Sequence, residues 1–340
     1  MKKKFSKTIL LALIVLLGLA KFGLSAGRDS MQVLLPKDKS YLTGSYVNFV
    51  AAVDPLRIDS VSLSVNKKTP VILQVSKGTH KILPDSVPYL CNTLNLDEGE
   101  NILTVNASWQ GKEIETRRMN LFLLSKSSPN KNTAPPGYQL YLFHTERAEA
   151  LCDGCHKELT QSDKQTTALQ DSPCYKCHPH VVAEKFKHGP AAVGDCISCH
   201  NISEKGKFLI AQPLKKLCYA CHEEVMKPWE TKKFVHGPTA TGDCTICHNP
   251  HSSSEKFFLR KKTNDLCIGC HEEKATGKHV IASFVFGSSH PVSGKSNPLK
   301  PDRGFSCASC HSPHAGNTKE IYALDAQGGR FAICQACHKK

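Results

Sequence analysis

Methionine is scarce in this chain of 340 residues: there are four, and only Met226 lies beyond Met119. A site in the second half that used a thioether ligand would have one candidate. Aromatic residues make up 7%, and tryptophan occurs twice, as Trp109 and Trp229, so neither half can rest on a large aromatic core. Beyond the first 26 residues no apolar run approaches the roughly twenty needed to cross a bilayer as a helix, so no integral span is expected once the leader is removed. Cysteine is nearly missing from the first 150 residues, where Cys91 stands alone, while the other sixteen of 17 fall between Cys152 and Cys337. A disulfide framework is thereby excluded from the first half, and the two halves must be stabilised by different physics.

The chain opens with a lysine-rich start, MKKKFSK, an apolar run from Ile9 to Ala20, and small residues at Ser25 and Ala26. This is the pattern of a secretory signal over residues 1–26, with cleavage expected after Ala26. An uncleaved anchor ending at Lys21 is the lesser alternative. Export to the periplasm, the extracellular space or the cell surface is the expectation. The leader's five lysines reduce the formal charge of +14 to +9, and export argues against a nucleic-acid partner for the remaining basic chain.

Residues 27–125 carry short alternating or β-branched runs, SYVNFVAAV, DSVSLSV, VILQV, NILTVNASW and MNLFLL, separated by the turn signals TG, VDP, KG, DEGEN and QG. Seven or so strands at this spacing predict a small antiparallel sandwich. Cys91 is expected to be a buried thiol, His80 a solvated turn residue, and Trp109 part of the core. The Ser-, Pro-, Asn- and Lys-rich stretch 126–139 reads as an extended linker.

Residues 140–340 repeat one motif, C-x-x-C-H. It occurs at Cys152-Cys155-His156, Cys174-Cys177-His178, Cys196-Cys199-His200 and Cys218-Cys221-His222. Four more copies stand at Cys244-Cys247-His248, Cys267-Cys270-His271, Cys307-Cys310-His311 and Cys334-Cys337-His338. Zinc chelation uses paired cysteines, and an exported chain can build disulfides, but neither demands a histidine after the second cysteine eight times over. Covalent haem attachment does demand it. Two thiols three residues apart form thioethers with one haem, and the next histidine becomes the proximal ligand of its iron. Eight haem c groups on about 200 residues leave too little chain for a separate apolar core, so the macrocycles themselves are expected to form it. Two propionates per haem would take the charge of +9 to about −7 with ferrous irons and about +1 with ferric, so the basic composition is internal compensation.

Eight further histidines lie in this half: His144, His180, His188, His236, His251, His279, His290 and His314. With Met226 as the only methionine there, they are the distal-ligand candidates, and bis-histidine irons of low potential are expected. HGPAAVGDCISCHN at 188–201 and HGPTATGDCTICHN at 236–249 recur with a period of 48, each followed by a second motif in LCYACHEE or LCIGCHEE. The unit is a pair of haems introduced by an upstream histidine. In CHPH, CHNPH and CHSPH the later histidine cannot reach around its own macrocycle and is expected to serve a neighbouring haem. The unit beginning at His188 has Ser203 where the next has His251, and its missing ligand is expected from His180 or His279. Gly237 and Pro238 should shape the turn that delivers His236, and Gly242 should let the backbone approach the porphyrin.

Two resemblances follow. The stretch LNLDEGENILTVNASWQGKEIETRRMNLFLL resembles the closing strands of a bacterial immunoglobulin-like domain, which implies the fold and no ligand. The pattern H-G-P-x-x-x-G-D-C-x-x-C-H-N-P-H, over residues 144–340, resembles the doubled C-x-x-C-H multihaem cytochromes c of respiring bacteria and archaea. That resemblance implies electron transfer without catalysis, in a periplasmic or extracellular conduit, as a shuttle or as a self-assembling wire subunit. Its partners would be other redox proteins, multihaem cytochromes or an outer-membrane complex. A multihaem reductase of the nitrite, hydroxylamine or tetrathionate type, with one open iron, is the alternative.

Overall fold

The computed structural model describes residues 30–75, 89–125, 128–151, 168–175, 177–200, 208–210, 212–276, 290–324 and 330–338. The leader, His80, Cys152, Cys155, His156, Ser203 and His279 lie outside these residues. The chain divides into two units, one of residues up to Leu123 with Pro135–Tyr141, the other of Leu124–Ala134 with Leu142 onward.

The first unit is all-β. Its strands are β1 (Met31–Leu35), β2 (Ser40–Leu42), β3 (Tyr46–Val53), β4 (Ser60–Val65), β5 (Val71–Gln74), β6 (Tyr89–Asn95), β7 (Gly99–Trp109), β8 (Lys112–Leu123) and β9 (Gln139–Leu140). One sheet has the order β1-β3-β6 and the other β5-β4-β7-β8-β2-β9. Pairing is antiparallel except that β2 runs parallel to both β8 and β9. Alternation decides which face is buried: along β7, Leu103, Val105 and Ala107 point inward while Glu100 and Ile102 are exposed. They join Val47 and Phe49 of the first sheet and Val61, Leu63 and Leu121 of the second in one apolar core between the two layers.

Three expectations are corrected here. Cys91 is exposed, because its β6 neighbours Leu90 and Leu94 take the inward positions and a period of two puts Cys91 on the other face. Trp109 is half-buried and outside the core. A register shift between Ala107 and Ser108 ends the alternation before it, and the β7–β8 hairpin turns immediately after, at Gln110 and Gly111 with φ of 51° and 75°, the left-handed pair that a two-residue turn of this hand requires. The stretch read as linker ends as β9, where Gln139 and Leu140 pair with Ser40 and Tyr41.

The loop between β6 and β7 hangs on Asn101, whose side chain is buried. Its amide donates to the carbonyls of Asp97 and Gly99 at 2.7 and 2.9 Å and its oxygen accepts from the Asp97 N–H at 2.9 Å. The second unit is built differently. Its helices are short: α1 (Glu146–Glu149), α2 (Gly189–Ala192), α3 (Leu214–Glu230), α4 (Gly237–Thr241), α5 (Thr263–Ile268), α6 (Glu273–Thr276) and α7 (Arg330–Cys337). Even α3 has non-helical backbone at His222, with φ −113° and ψ 23°. Two-residue ladders join β10 (Phe186–Lys187) to β12 (Ser252–Ser253) and β11 (Phe234–Val235) to β13 (Ala315–Gly316). Among its described residues the buried apolar side chains are Ala148, Val182, Met226 and Ala315, far short of a core. Among the described residues no helix is long and apolar enough to cross a membrane.

Asn101→Ala removes four hydrogen bonds, the fourth being the one its oxygen accepts from the Asn66 amide at 3.2 Å, and leaves backbone groups of the loop unsatisfied, so it should cost roughly 1–3 kcal/mol of first-unit stability. Urea titration followed by hydrogen exchange of the strand amides would read this loss, with the second unit's exchange unchanged.

Candidate functional site

The local chain builds three of the motifs, the ones that open the units, in the same way. Cys196–Ser198, Cys244–Ile246 and Cys307–Ser309 each form one turn of 3-10 helix. The histidine N–H then reaches back to the carbonyl of the first cysteine, at 3.0 Å for His200, His248 and His311 alike. The turn presents both thiols and the imidazole together.

A second device fixes three of these imidazoles. The Nδ1–H of His200 donates to the Phe208 carbonyl at 2.7 Å, that of His248 to Phe257 at 2.8 Å, and that of His311 to Glu320 at 2.7 Å. Each histidine also forms an isolated antiparallel bridge, to Ile210, Leu259 and Tyr322 respectively. The returning loops contain left-handed residues, Phe208, Phe257, Phe258 and Ile321, with φ between 52° and 62°. A bulky side chain in that region costs on the order of 1–2 kcal/mol, and the strain is spent aiming a carbonyl at the ring. A donated Nδ1–H leaves the Nε2 lone pair free for a metal and makes the ring a stronger ligand. Sequence reasoning missed these loops, whose only trace is a KF or KE pair seven to nine residues beyond the motif.

The upstream histidines are delivered by a different turn. His188 and His236 are the N-cap residues of α2 and α4, with proline in the first turn of each helix, where its fixed φ suits the helix start. The ladders then tie them to the later histidines. The His188 N–H donates to the His251 carbonyl at 2.9 Å, and the His236 N–H to the His314 carbonyl at 2.8 Å. Gly242 has a left-handed φ of +77°, and a Cβ there would stand 2.3 Å from the Lys215 Cβ. Its lack of a side chain therefore admits helix α3.

The imidazoles face each other in pairs. Ring centroids are 5.9 Å apart for His200 and His251, 6.0 Å for His188 and His222, and 6.1 Å for His248 and His314. The others are His144 with His178 at 6.1 Å, His290 with His338 at 6.1 Å, and His236 with His271 at 6.2 Å. The interplanar angles of the six pairs range from 11° to 89°. Rings in direct contact change their separation as they tilt, and a true stack here, Trp229 on His314, has centroids 4.0 Å apart. An imidazole nitrogen lies about 2 Å from a first-row metal it ligates, so two rings on opposite sides of one iron have centroids about 6 Å apart at any tilt. The residues present fit haem.

Burial acts on the same histidines. His178, His251 and His314 are each pushed down to about 4, chiefly by loss of solvent and then by neighbouring imidazoles; this keeps them in the neutral, metal-ligating form. His144 instead donates to the Glu149 carboxylate at 3.1 Å. His180 lies 5.7 Å from His178 at 73°. His251, expected to serve a neighbouring haem, faces His200 of the preceding unit. The histidine that Ser203 replaces would by that register have served the unit before it, so the deficit expected in the unit beginning at His188 does not fall there.

Comparison with known proteins agrees with these features. Residues 188–227, 236–276 and 300–340 each match the family model described as the doubled CXXCH motif. A high-molecular-weight cytochrome c of Nitratidesulfovibrio vulgaris (strain Hildenborough) is 25% identical over 171 residues, 49% of this chain and 26% of the relative, so the chain spans about a quarter of that protein's length. Among solved structures, the sulfur carrier protein SoxY from Chlorobium limicola f thiosulfatophilum overlaps 28% of this chain and 80% of its own, at 15% identity and a TM-score of 0.21. An engineered protein overlaps 27% of this chain and 19% of its own at 12% identity, also with a TM-score of 0.21. The carboxy-terminal half of the chain is a multihaem c-type cytochrome, with six attachment sites for haem c in its three matched segments.

Proposed function

We propose that this protein is an exported octahaem cytochrome that passes single electrons along closely spaced bis-histidine haems between redox partners. The observation that carries the reading is the constant separation of about 6 Å across six imidazole pairs of differing tilt. On this reading His156, His178, His200, His222, His248, His271, His311 and His338 are the proximal ligands. The facing rings supply His144 for the site of His178, His251 for His200, His188 for His222, His314 for His248, His236 for His271 and His290 for His338. His180 and His279 are the remaining distal candidates for the sites of His156 and His311.

Haem, when bound, supplies a one-electron ferric–ferrous couple of low potential under two imidazoles. The chain's own contribution is to hold those imidazoles. The carbonyls of Phe208, Phe257 and Glu320 strengthen three proximal ligands and fix their tautomer. An iron closed on both sides has no position for a substrate, which favours a carrier over a reductase.

The leader pattern supports export to the periplasm or cell surface, where redox proteins, multihaem cytochromes or an outer-membrane complex would be partners and self-assembly into a wire is open to test. For the first unit the strand order supports an immunoglobulin-like reading. A three-stranded sheet of the first, third and sixth strands faces one with the fourth, seventh and eighth at its centre. Such a domain would be a docking module.

Mass spectrometry of the purified protein should show eight covalently bound haems, and electron paramagnetic resonance of the oxidised sample should show all of them low-spin. A high-spin signal altered by nitrite or cyanide would instead make the protein a reductase. His251→Ala should convert the haem of His200 alone, about one eighth of the signal, to a high-spin or water-ligated form with attachment intact. Acid should act through the depressed histidines. Below about 6.5 the unfolded chain takes up protons that the folded one refuses, so stability falls as pH drops below that value. Thermal melts of the low-spin absorption band across that range would measure the slope.

A further inference from the structure

The two ladders hold their histidines with different side chains. In each, the residue after the later histidine opens the second strand, Ser252 after His251 and Ala315 after His314. The turn before each ring is capped alike: the His251 N–H donates to the Asn249 side chain at 3.1 Å and the His314 N–H to the Ser312 hydroxyl at 3.4 Å. Beyond that the joints differ. The buried Ser252 hydroxyl donates to the Val181 carbonyl at 2.7 Å and accepts from the Glu184 N–H at 3.3 Å, and the Ser253 hydroxyl donates to the Leu259 carbonyl. Ala315 and Gly316 have no hydroxyl with which to do the same. In their joint the Asn317 side chain accepts from the Lys233 N–H at 3.2 Å, and Trp229 lies flat on the His314 ring, with centroids 4.0 Å apart and planes 16° apart. Trp229 stands seven residues before His236, and Val181 seven before His188. The repeat thus exchanges valine and serine for tryptophan and alanine at the same two places.

Helix α3 is bent so as to place the indole. Lys215 and Glu230 would stand about 22 Å apart along a straight helix, yet their side chains form an ion pair at 3.1 Å. The break in helical backbone at His222 allows this. Trp229, in the last turn, then lines one cavity with Met226 and with Val235, the ladder partner of Ala315. Among the described residues, the phenylalanines beside other upstream histidines meet them at an angle. Phe208 stands at 69° to His144, Phe258 at 77° to His188 and Phe305 at 43° to His290. The flat stack on His314 is therefore a feature of this one joint.

We propose that Trp229 is a positioning residue for His314, holding the imidazole plane close to parallel with that of His248 by stacking on its face. The inference rests on the haem reading above and adds what sets the ligand geometry of one site. His314 is turned only 18° from His248. The preceding joint reaches 11° between His251 and His200 with its serine hydrogen bonds. An imidazole held through Nε2 alone is free to swivel about that bond, and a ring lying flat on its face blocks the swivel, because the turning edge would run into the indole. Groups behind a ligand commonly orient it through hydrogen bonds; here an aromatic face does so. The angle has an electronic consequence. Each imidazole interacts through its π system with one of two iron d orbitals of like energy. Parallel rings act on the same orbital and split the pair, whereas crossed rings act on both and leave them nearly equal.

Electron paramagnetic resonance of the oxidised, haem-loaded full chain reads that splitting directly, with haem content by mass on the same samples. Trp229→Leu should keep its haem and move about one eighth of the low-spin signal, one haem among eight motifs, from a rhombic form to a strongly anisotropic one with a large maximum g value. Trp229→Phe, which retains a flat ring, should keep the wild-type spectrum. If the leucine variant does not load haem, Trp229→Met, which fills space without a ring, carries the same expectation. A fully loaded leucine or methionine variant with the wild-type spectrum would overturn the proposal, even with a lowered melting temperature, since the indole would then only fill space. An equal change in the phenylalanine variant would overturn it as well. The haem reading fails separately: a wild-type protein with no haem on Cys244 and Cys247, or with a high-spin iron there, sinks that reading before any variant is made.

Discussion

A gap of about 6 Å between opposed imidazoles organises the cytochrome half of this protein. Among its described residues only four apolar side chains are buried, and its described helices, apart from α3 with its break at His222, are too short to be stable on their own. Without a core of side chains, what sets the position of each turn is where it must deliver a ring. The N-cap histidines, the strained loops behind His200, His248 and His311, and the ladders of two residues all end at such a ring.

The first unit shows the opposite economy. Its strands bury Phe49, Leu63, Leu103, Val105 and Leu121 in one layer between sheets. Two ways of offsetting the entropy of folding thus lie on one chain, apolar burial in one half and covalently attached haem in the other. The near absence of cysteine from one and its abundance in the other is the compositional mark of that division.

The strands were legible because alternation is a local property, and so were the attachment motifs, where cysteine and histidine are adjacent. Less legible were features set by distant pairing. Trp109 follows the inward parity of Leu103 and Val105, but a register shift opposite Glu113 and Glu115 removes it from the core. Cys91 looks apolar in PYLCNTL, yet parity on β6 turns it outward. The ring that faces His200 comes from His251, 51 positions on, because Phe186–Lys187 pairs with Ser252–Ser253. No pattern in four such residues announces a ladder. His236 lies eight residues before Cys244 but faces His271, so nearness in sequence misleads where the backbone folds a short turn between motifs.

The ladders also bear on how such an array can grow. Each joins a segment just before one upstream histidine to a segment just after a histidine in the following unit. A duplication of one whole 48-residue period copies both halves of the joint together, so the copy can clasp its parent on one side and its successor on the other. A duplication of half a period would leave a strand with nothing to pair and a ring with nothing to face. Inheritance in whole units is therefore written into the hydrogen bonding, and the length of the array is free to change only in steps of two haems.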